Sequence, residues 1–178
     1  RMRTIQYVKF FSDSGLNLNI QPLFNNQYLT KLYNKNYNRR YLVFKCYLRR
    51  FLSLLFSKKF NLVFIEKELF PSLPSYAEYI LSKIQIKYIV DFDDAIFHNY
   101  DLSSNKYKKL LSKKIDKVMK YSACVICGNQ YLADRAYKAG APRVEIIPTV
   151  IDLDRYSVIK RASGSKIVIG WIGSPSTS

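Results

Sequence analysis

Lys87-Tyr88-Ile89-Val90-Asp91-Phe92-Asp93-Asp94 joins an apolar run to three carboxylates within four residues. A run of this length with no polar alternation reads as a strand covered on both faces, which is the habit of parallel sheets. Working upstream, Asn61-Leu-Val-Phe-Ile65 is a second such run and is followed by Glu66 and Glu68. Downstream, Ala123 to Cys127 and Val144 to Ile147 supply two more. The intervening segments carry helical spacing. Ser75 to Ile84 opens with Ser75 and Glu78 at capping-box distance, Ser103 to Tyr121 is lysine-rich and amphipathic, and Gln130 to Lys138 stops at Gly140. Strands separated by helices need crossover connections, and these predict an α/β, doubly wound parallel sheet with helices on both faces. Ligands in such sheets lie beyond the carboxyl ends of the strands, where this sequence gathers its polar residues.

Outside that block the reading is less regular. Arg3 to Ser14 is expected to be one helix closed by Gly15, and Leu16-Asn-Leu-Asn-Ile20 alternates like a half-buried strand ended by Pro22. Asn26 to Tyr33 and Asn38 to Lys59 read as helices. The pattern lapses after Asp152, and Lys166 to Ile172 opens a new apolar strand. The expected organisation is therefore a first domain over residues 1–152, a linker over 153–165 and the first strand and loop of a second domain over 166–178. The chain starts at Arg1 without a methionine and stops in a glycine-bearing loop, so it is expected to be truncated at both ends.

Hydrophobic residues make up 48% and charged residues 24% of the 178, a balance that excludes disordered and collagen-like classes. The net charge of +16 would attract nucleic acid, anionic lipid or phosphorylated substrates. Lysine comes here with abundant Asn, Ile and Tyr, so general residue usage explains the charge equally well. The basic residues are spread over helices with no recognition motif, which weighs against nucleic acid as a partner. Cys46, Cys124 and Cys127 are odd in number and follow no secretory signal, which fits the reducing cytosol better than a disulfide framework. Cys124 and Cys127 have zinc-knuckle spacing, but residues three apart on a strand point to opposite faces and are read as core. No apolar run is long enough to span a bilayer; Tyr41 to Phe56 is broken by Lys45, Arg49 and Arg50.

Three segments carry possible chemistry. The carboxylates at 91–94 repel one another at the end of an apolar strand and need a reason to be there. Asp91 and Asp93 on one face would suit magnesium and substrate phosphates, as in a metal-dependent phosphotransferase. Alternatively, the carboxylates hydrogen-bond sugar hydroxyls, or one of them caps the turn that follows. Gly170-Trp-Ile-Gly173-Ser-Pro-Ser-Thr177 follows a strand and offers amides to a phosphate, though it fits neither a dinucleotide fingerprint nor a Walker motif. Arg1 and Arg3 would lie near the same crevice if a strand preceded them, and guanidinium suits phosphate oxygens.

Taken in order, Arg1-Met-Arg3, Glu66-Lys-Glu-Leu-Phe-Pro71, Asp91-Phe-Asp-Asp-Ala-Ile-Phe97, Cys127-Gly-Asn-Gln-Tyr-Leu-Ala133, Ile147-Pro-Thr-Val-Ile-Asp152 and Ile169-Gly-Trp-Ile-Gly-Ser-Pro-Ser-Thr177 resemble the group 1 (family 4) glycosyltransferases. The resemblance implies the GT-B architecture of two Rossmann-like domains, of which this chain would be the N-terminal, acceptor-side half. It implies transfer of a sugar from a nucleotide-diphosphate donor to a saccharide or lipid-linked acceptor, with retention of configuration and without a metal or other cofactor. Asp93 and Asp94 would be catalytic. Gly173, Ser174, Ser176, Thr177, Arg1 and Arg3 would bind the donor, and Glu66, Glu68, Asp91 and Asn129 the acceptor. Many members carry a histidine near the end of the strand corresponding to 88–92; here that place holds aspartates and His98 comes later, so no catalytic histidine is assigned. The expected setting is cytoplasmic, in cell-surface polysaccharide or glycolipid synthesis, with an anionic membrane surface as a further partner for the helices at 38–59 and from 103.

Overall fold

The computed structural model describes residues 2–24 and 39–150. In chain order the elements are α1 (Met2–Ile5), α2 (Val8–Asp13), α3 (Arg39–Leu55), a 3-10 turn (Ser57–Lys59), β1 (Val63–Glu66), α4 (Tyr76–Lys83), β2 (Tyr88–Phe92), α5 (His98–Asp101), α6 (Lys106–Leu110), α7 (Lys114–Tyr121), β3 (Cys124–Cys127), α8 (Gln130–Ala139) and β4 (Val144–Ile146). The four strands form one sheet in the order β1-β2-β3-β4, and every pairing is parallel. The α/β class and the parallel sheet agree with the sequence pattern.

Register explains which residues enter the core. Ile65, Val90, Val125 and Val144 lie in one row across the sheet, and Glu66, Asp91, Ile126 and Glu145 in the next. Adjacent rows face opposite ways. The first row, with Tyr88, Phe92 and Cys127, packs on Ile115, Val118 and Met119 of α7 and Leu132, Ala133 and Ala136 of α8, all buried. Fully burying a side chain such as Val90 or Phe92 stabilises the fold by about 1.5–3 kcal/mol relative to exposure. Tyr88 can enter this apolar layer because its hydroxyl donates to the Val118 carbonyl of α7 at 2.6 Å. The same burial drives its phenol well above the ordinary tyrosine value.

A strand order without reversal, joined by crossovers of one hand, places the crossover helices on one face. Consistently, α4 touches α7 and α7 touches α8. The opposite face is approached by α1, whose Arg3 reaches Asp91. The part of the sheet that is described therefore lacks the reversal of strand order that defines a doubly wound sheet.

Several local expectations change in three dimensions. The helix expected over 3–14 is interrupted at Gln6 and Tyr7, although it does end as expected, with Gly15 at φ 81° and the Leu16 N–H returning to the Phe11 carbonyl at 3.0 Å. Leu16 to Ile20 forms no strand: it pairs with no strand among the described residues, and Leu16, Leu18 and Ile20 are exposed. Alternation permits a strand but does not supply a partner for it. The expected 103–121 helix divides into α6, capped by the Asn105 side chain accepting from the Lys108 N–H, and α7. It breaks where Leu111 and Lys114 turn inward, the Lys114 ammonium donating to Glu68 and to the Phe70 carbonyl. The capping box does not form: Ser75 makes no side-chain cap, and the Glu78 carboxylate is buried and accepts from the Leu69 N–H at 3.0 Å. The segments 26–33 and 152–178, including the linker and second-domain strand, lie outside the described residues.

Candidate functional site at the carboxyl rim of the sheet

The carboxyl ends of β1 and β2 bring two charged loops together. After Glu66 the chain turns through Lys67 at φ 68°, a left-handed conformation that costs a non-glycine residue roughly 1–2 kcal/mol. Two backbone bonds hold it, from the Lys67 N–H to the Asp91 carbonyl at 3.0 Å and from the Glu68 N–H to the Glu66 carbonyl at 2.9 Å. The turn aims the Lys67 ammonium across the rim, 2.7 Å from Asp94 Oδ2 and 3.1 Å from Asp93 Oδ1. Left-handed non-glycine residues are enriched at functional sites, and Ser72 and Gln85 adopt the same conformation elsewhere in the chain.

The trio sets one ammonium against two carboxylates. Partial burial works against both ions, but the contact with Lys67 wins at Asp93 and holds its carboxyl below the ordinary range. Asp94 and Asp93 in turn raise the Lys67 ammonium against the same desolvation. Asp94 remains two-thirds exposed and is the carboxylate most open to a ligand. Gly128, at the end of β3, donates to the Phe92 carbonyl at 2.9 Å, and a Cβ built there would stand 3.5 Å from the Asp93 Cα. That is an ordinary van der Waals contact, so the approach of β3 to the Asp93 loop does not itself require a glycine at 128.

The other residues expected at the site have different occupations. Arg3, expected to bind donor phosphate, and Asp91, expected to bind acceptor, are paired with each other: Arg3 Nε lies 2.9 and 3.0 Å from the two carboxylate oxygens. The same guanidinium donates to Thr149 Oγ1 at 3.0 Å and to the Ile147 carbonyl, so Arg3 ties α1 to the ends of β2 and β4. Asp91 and Asp93 therefore take different cations, Arg3 and Lys67, rather than converging on one ion. Burial pushes the Asp91 carboxyl up while Arg3 opposes the shift. Glu68 faces inward and accepts from Tyr100 Oη at 2.7 Å and from Lys114. Asn129 is the cap of α8, accepting from the Leu132 N–H at 3.0 Å. Glu66 is exposed at the end of β1. Arg1, Gly173, Ser174, Ser176 and Thr177 lie outside the described residues.

Two features of the rim were missed in the sequence. Lys67 stands between two glutamates at the end of a strand, a position that should have suggested it. His98 and Asp101, three residues apart on α5, form a hydrogen-bonded line with Tyr131 of α8; helical spacing could have suggested the first pair but gives no sign of the tyrosine. Among the described residues no group of three or more His, Cys, Asp or Glu is placed to hold a metal ion. Comparison with protein-family models, with curated proteins and with solved structures finds no match to this chain.

Proposed function

We propose that this chain is the acceptor-side, Rossmann-like part of a GT-B glycosyltransferase, which moves a sugar from a nucleotide-diphosphate donor to a saccharide or lipid-linked acceptor. The observation that carries the reading is the Lys67–Asp93–Asp94 trio at the carboxyl rim, held by a left-handed turn and open to solvent through Asp94. Carboxylates and an ammonium side by side offer both acceptors and donors to sugar hydroxyls. Asp93 and Asp94 are the residues proposed to face the acceptor and the transferring sugar. The donor would lie toward Gly173, Ser174, Ser176 and Thr177 in a second domain, completing a GT-B pair. Retention of configuration and independence from metals are proposed on the sequence resemblance alone.

The proposed setting is the cytoplasmic face of a membrane, in cell-surface polysaccharide or glycolipid synthesis. Its support is α3, which exposes Phe44, Leu48, Phe51, Leu52 and Leu55 beside Lys45 and Arg49. Apolar side chains flanked by basic ones suit the headgroup region of an anionic bilayer. No helix among the described residues is long and apolar enough to cross a membrane. The test is sugar transfer by the full-length protein and its Asp93→Asn variant, with and without chelator. Turnover that survives chelator and falls at least tenfold in the variant supports the proposal; undiminished turnover in the variant removes Asp93 from the mechanism.

A further inference from the structure

His98 is the only histidine in the chain and sits at the start of α5, just past the β2 rim. Its Nδ1 lies 2.9 Å from Asp101 Oδ1, and its Nε2 lies 2.7 Å from Tyr131 Oη in the first turn of α8. An ionised carboxylate only accepts, so Asp101 fixes the Nδ1–H tautomer and leaves Nε2 to accept from the tyrosine. Asp101 is itself held by Arg135 Nη1 at 3.2 Å, and Arg135 Nε is anchored on Asp116 at 2.6 Å while its guanidinium lies over the Phe97 ring. The charged and titratable groups of this network among the described residues are Asp101 from α5, Asp116 from α7, and Tyr131 and Arg135 from α8. The carboxylate and the arginine are partly buried, whereas the Tyr131 side chain is exposed. The line therefore runs from an anchored interior to an accessible phenol.

From this geometry we infer that Tyr131, backed by His98 and Asp101, is a proton-accepting catalytic residue for a hydroxyl-bearing acceptor. An orienting acid, an imidazole in a fixed tautomer and an exposed hydroxyl form the same logical unit as other relay-activated sites. The inference rests on the sugar-transfer reading. In the step, the acceptor O–H bond breaks and its proton passes to Tyr131 Oη as the phenolic proton moves to His98 Nε2. The freed electron pair of the acceptor oxygen forms the bond to the sugar carbon on the same face from which the diphosphate departs with the electrons of its own bond, so that the configuration is retained. The imidazolium stays paired with Asp101 and later releases its proton to solvent. A role confined to holding α5 against α8 would need none of the phenol's exposure.

The experiment uses the full-length protein with uridine- and guanosine-diphosphate sugars and octyl glycoside acceptors. Tyr131→Phe keeps the ring and removes only the hydroxyl, so kcat is expected to fall about a hundredfold or more with KM for the acceptor nearly unchanged. In parallel, the 15N signals of His98, assigned by their loss in His98→Gln, are expected to show Nδ1–H and an Nε2 resonance that moves in Tyr131→Phe. Wild-type turnover with an unchanged kcat in the variant overturns the relay and leaves the sugar-transfer reading intact. A folded wild type with no transfer to any acceptor overturns that reading and the relay with it. An Nε2–H tautomer in the wild type overturns the relay by itself.

Discussion

Arg3 and Asp91 are joined by two short contacts from one guanidinium nitrogen, 88 residues apart in sequence, on the sheet face opposite the crossover helices. Both side chains are more than nine-tenths buried. Removing one member leaves the other as an uncompensated buried charge, which costs about 3–5 kcal/mol. Arg3→Met and Asp91→Leu are each expected to destabilise strongly in urea unfolding, and the double variant much less than the sum of the two. Strictly additive single losses would show that the pair is not coupled.

Lys67 combines a backbone cost with a side-chain role. Lys67→Gly relieves the left-handed turn, a gain of roughly 1 kcal/mol, and removes an exposed ion pair that is worth about 0–1 kcal/mol. Stability measured by thermal unfolding is expected to stay level or rise slightly. Sugar transfer is expected to fall. A variant that loses stability while keeping activity would make Lys67 a structural residue only.

Asp93 supplies a pH dependence whose sign follows from its depressed carboxyl. Its contribution to stability is present above the ordinary value of 3.8 and is lost as the pH falls through the lower, folded-state value. The stability difference between the wild type and Asp93→Asn is therefore expected to be flat near neutrality and to close under acid. A carboxyl carbon titration of Asp93 by NMR checks the direction directly, with an unshifted or raised midpoint counting against the Lys67 contact.

Glu78 behaves in the opposite sense. Burial raises its carboxyl above the ordinary 4.5, against the Leu69 N–H and the charge of Lys114, which pull it back. The native state thus favours the protonated form, and the associated stability is lost as the pH rises through the folded-state value. Glu78→Gln keeps an oxygen for Leu69 and is expected to equal or exceed the wild type at pH 8. Glu78→Ala leaves that amide without its acceptor and is expected to cost about 1–3 kcal/mol in denaturant unfolding.

The strands at 63–66, 88–92, 124–127 and 144–146 were legible because a parallel sheet buries whole apolar runs, and nothing else in the chain explains runs of that length. The closing glycines at 15 and 140 were legible for a local reason, since a left-handed helix terminus selects glycine from any sequence. Leu16 to Ile20 misled because periodicity describes one strand, whereas a ladder requires two. Glu78 misled because capping-box spacing carries no information about a loop amide nine residues earlier in the chain.

By itself, then, the sequence determined the four strands and the alternation of strand and helix that makes the sheet parallel, and the rim at which charged residues collect, all of which follow from the local pattern of side chains. Only the tertiary structure decided which charges meet. Arg3 was assigned to phosphate and Asp91 to acceptor until folding set them 2.9 Å apart, and Lys67 joined Asp93 and Asp94 only when β1 and β2 came side by side. Charged side chains reach several ångströms and choose partners by proximity in space, which strand register and helix placement fix and residue spacing does not.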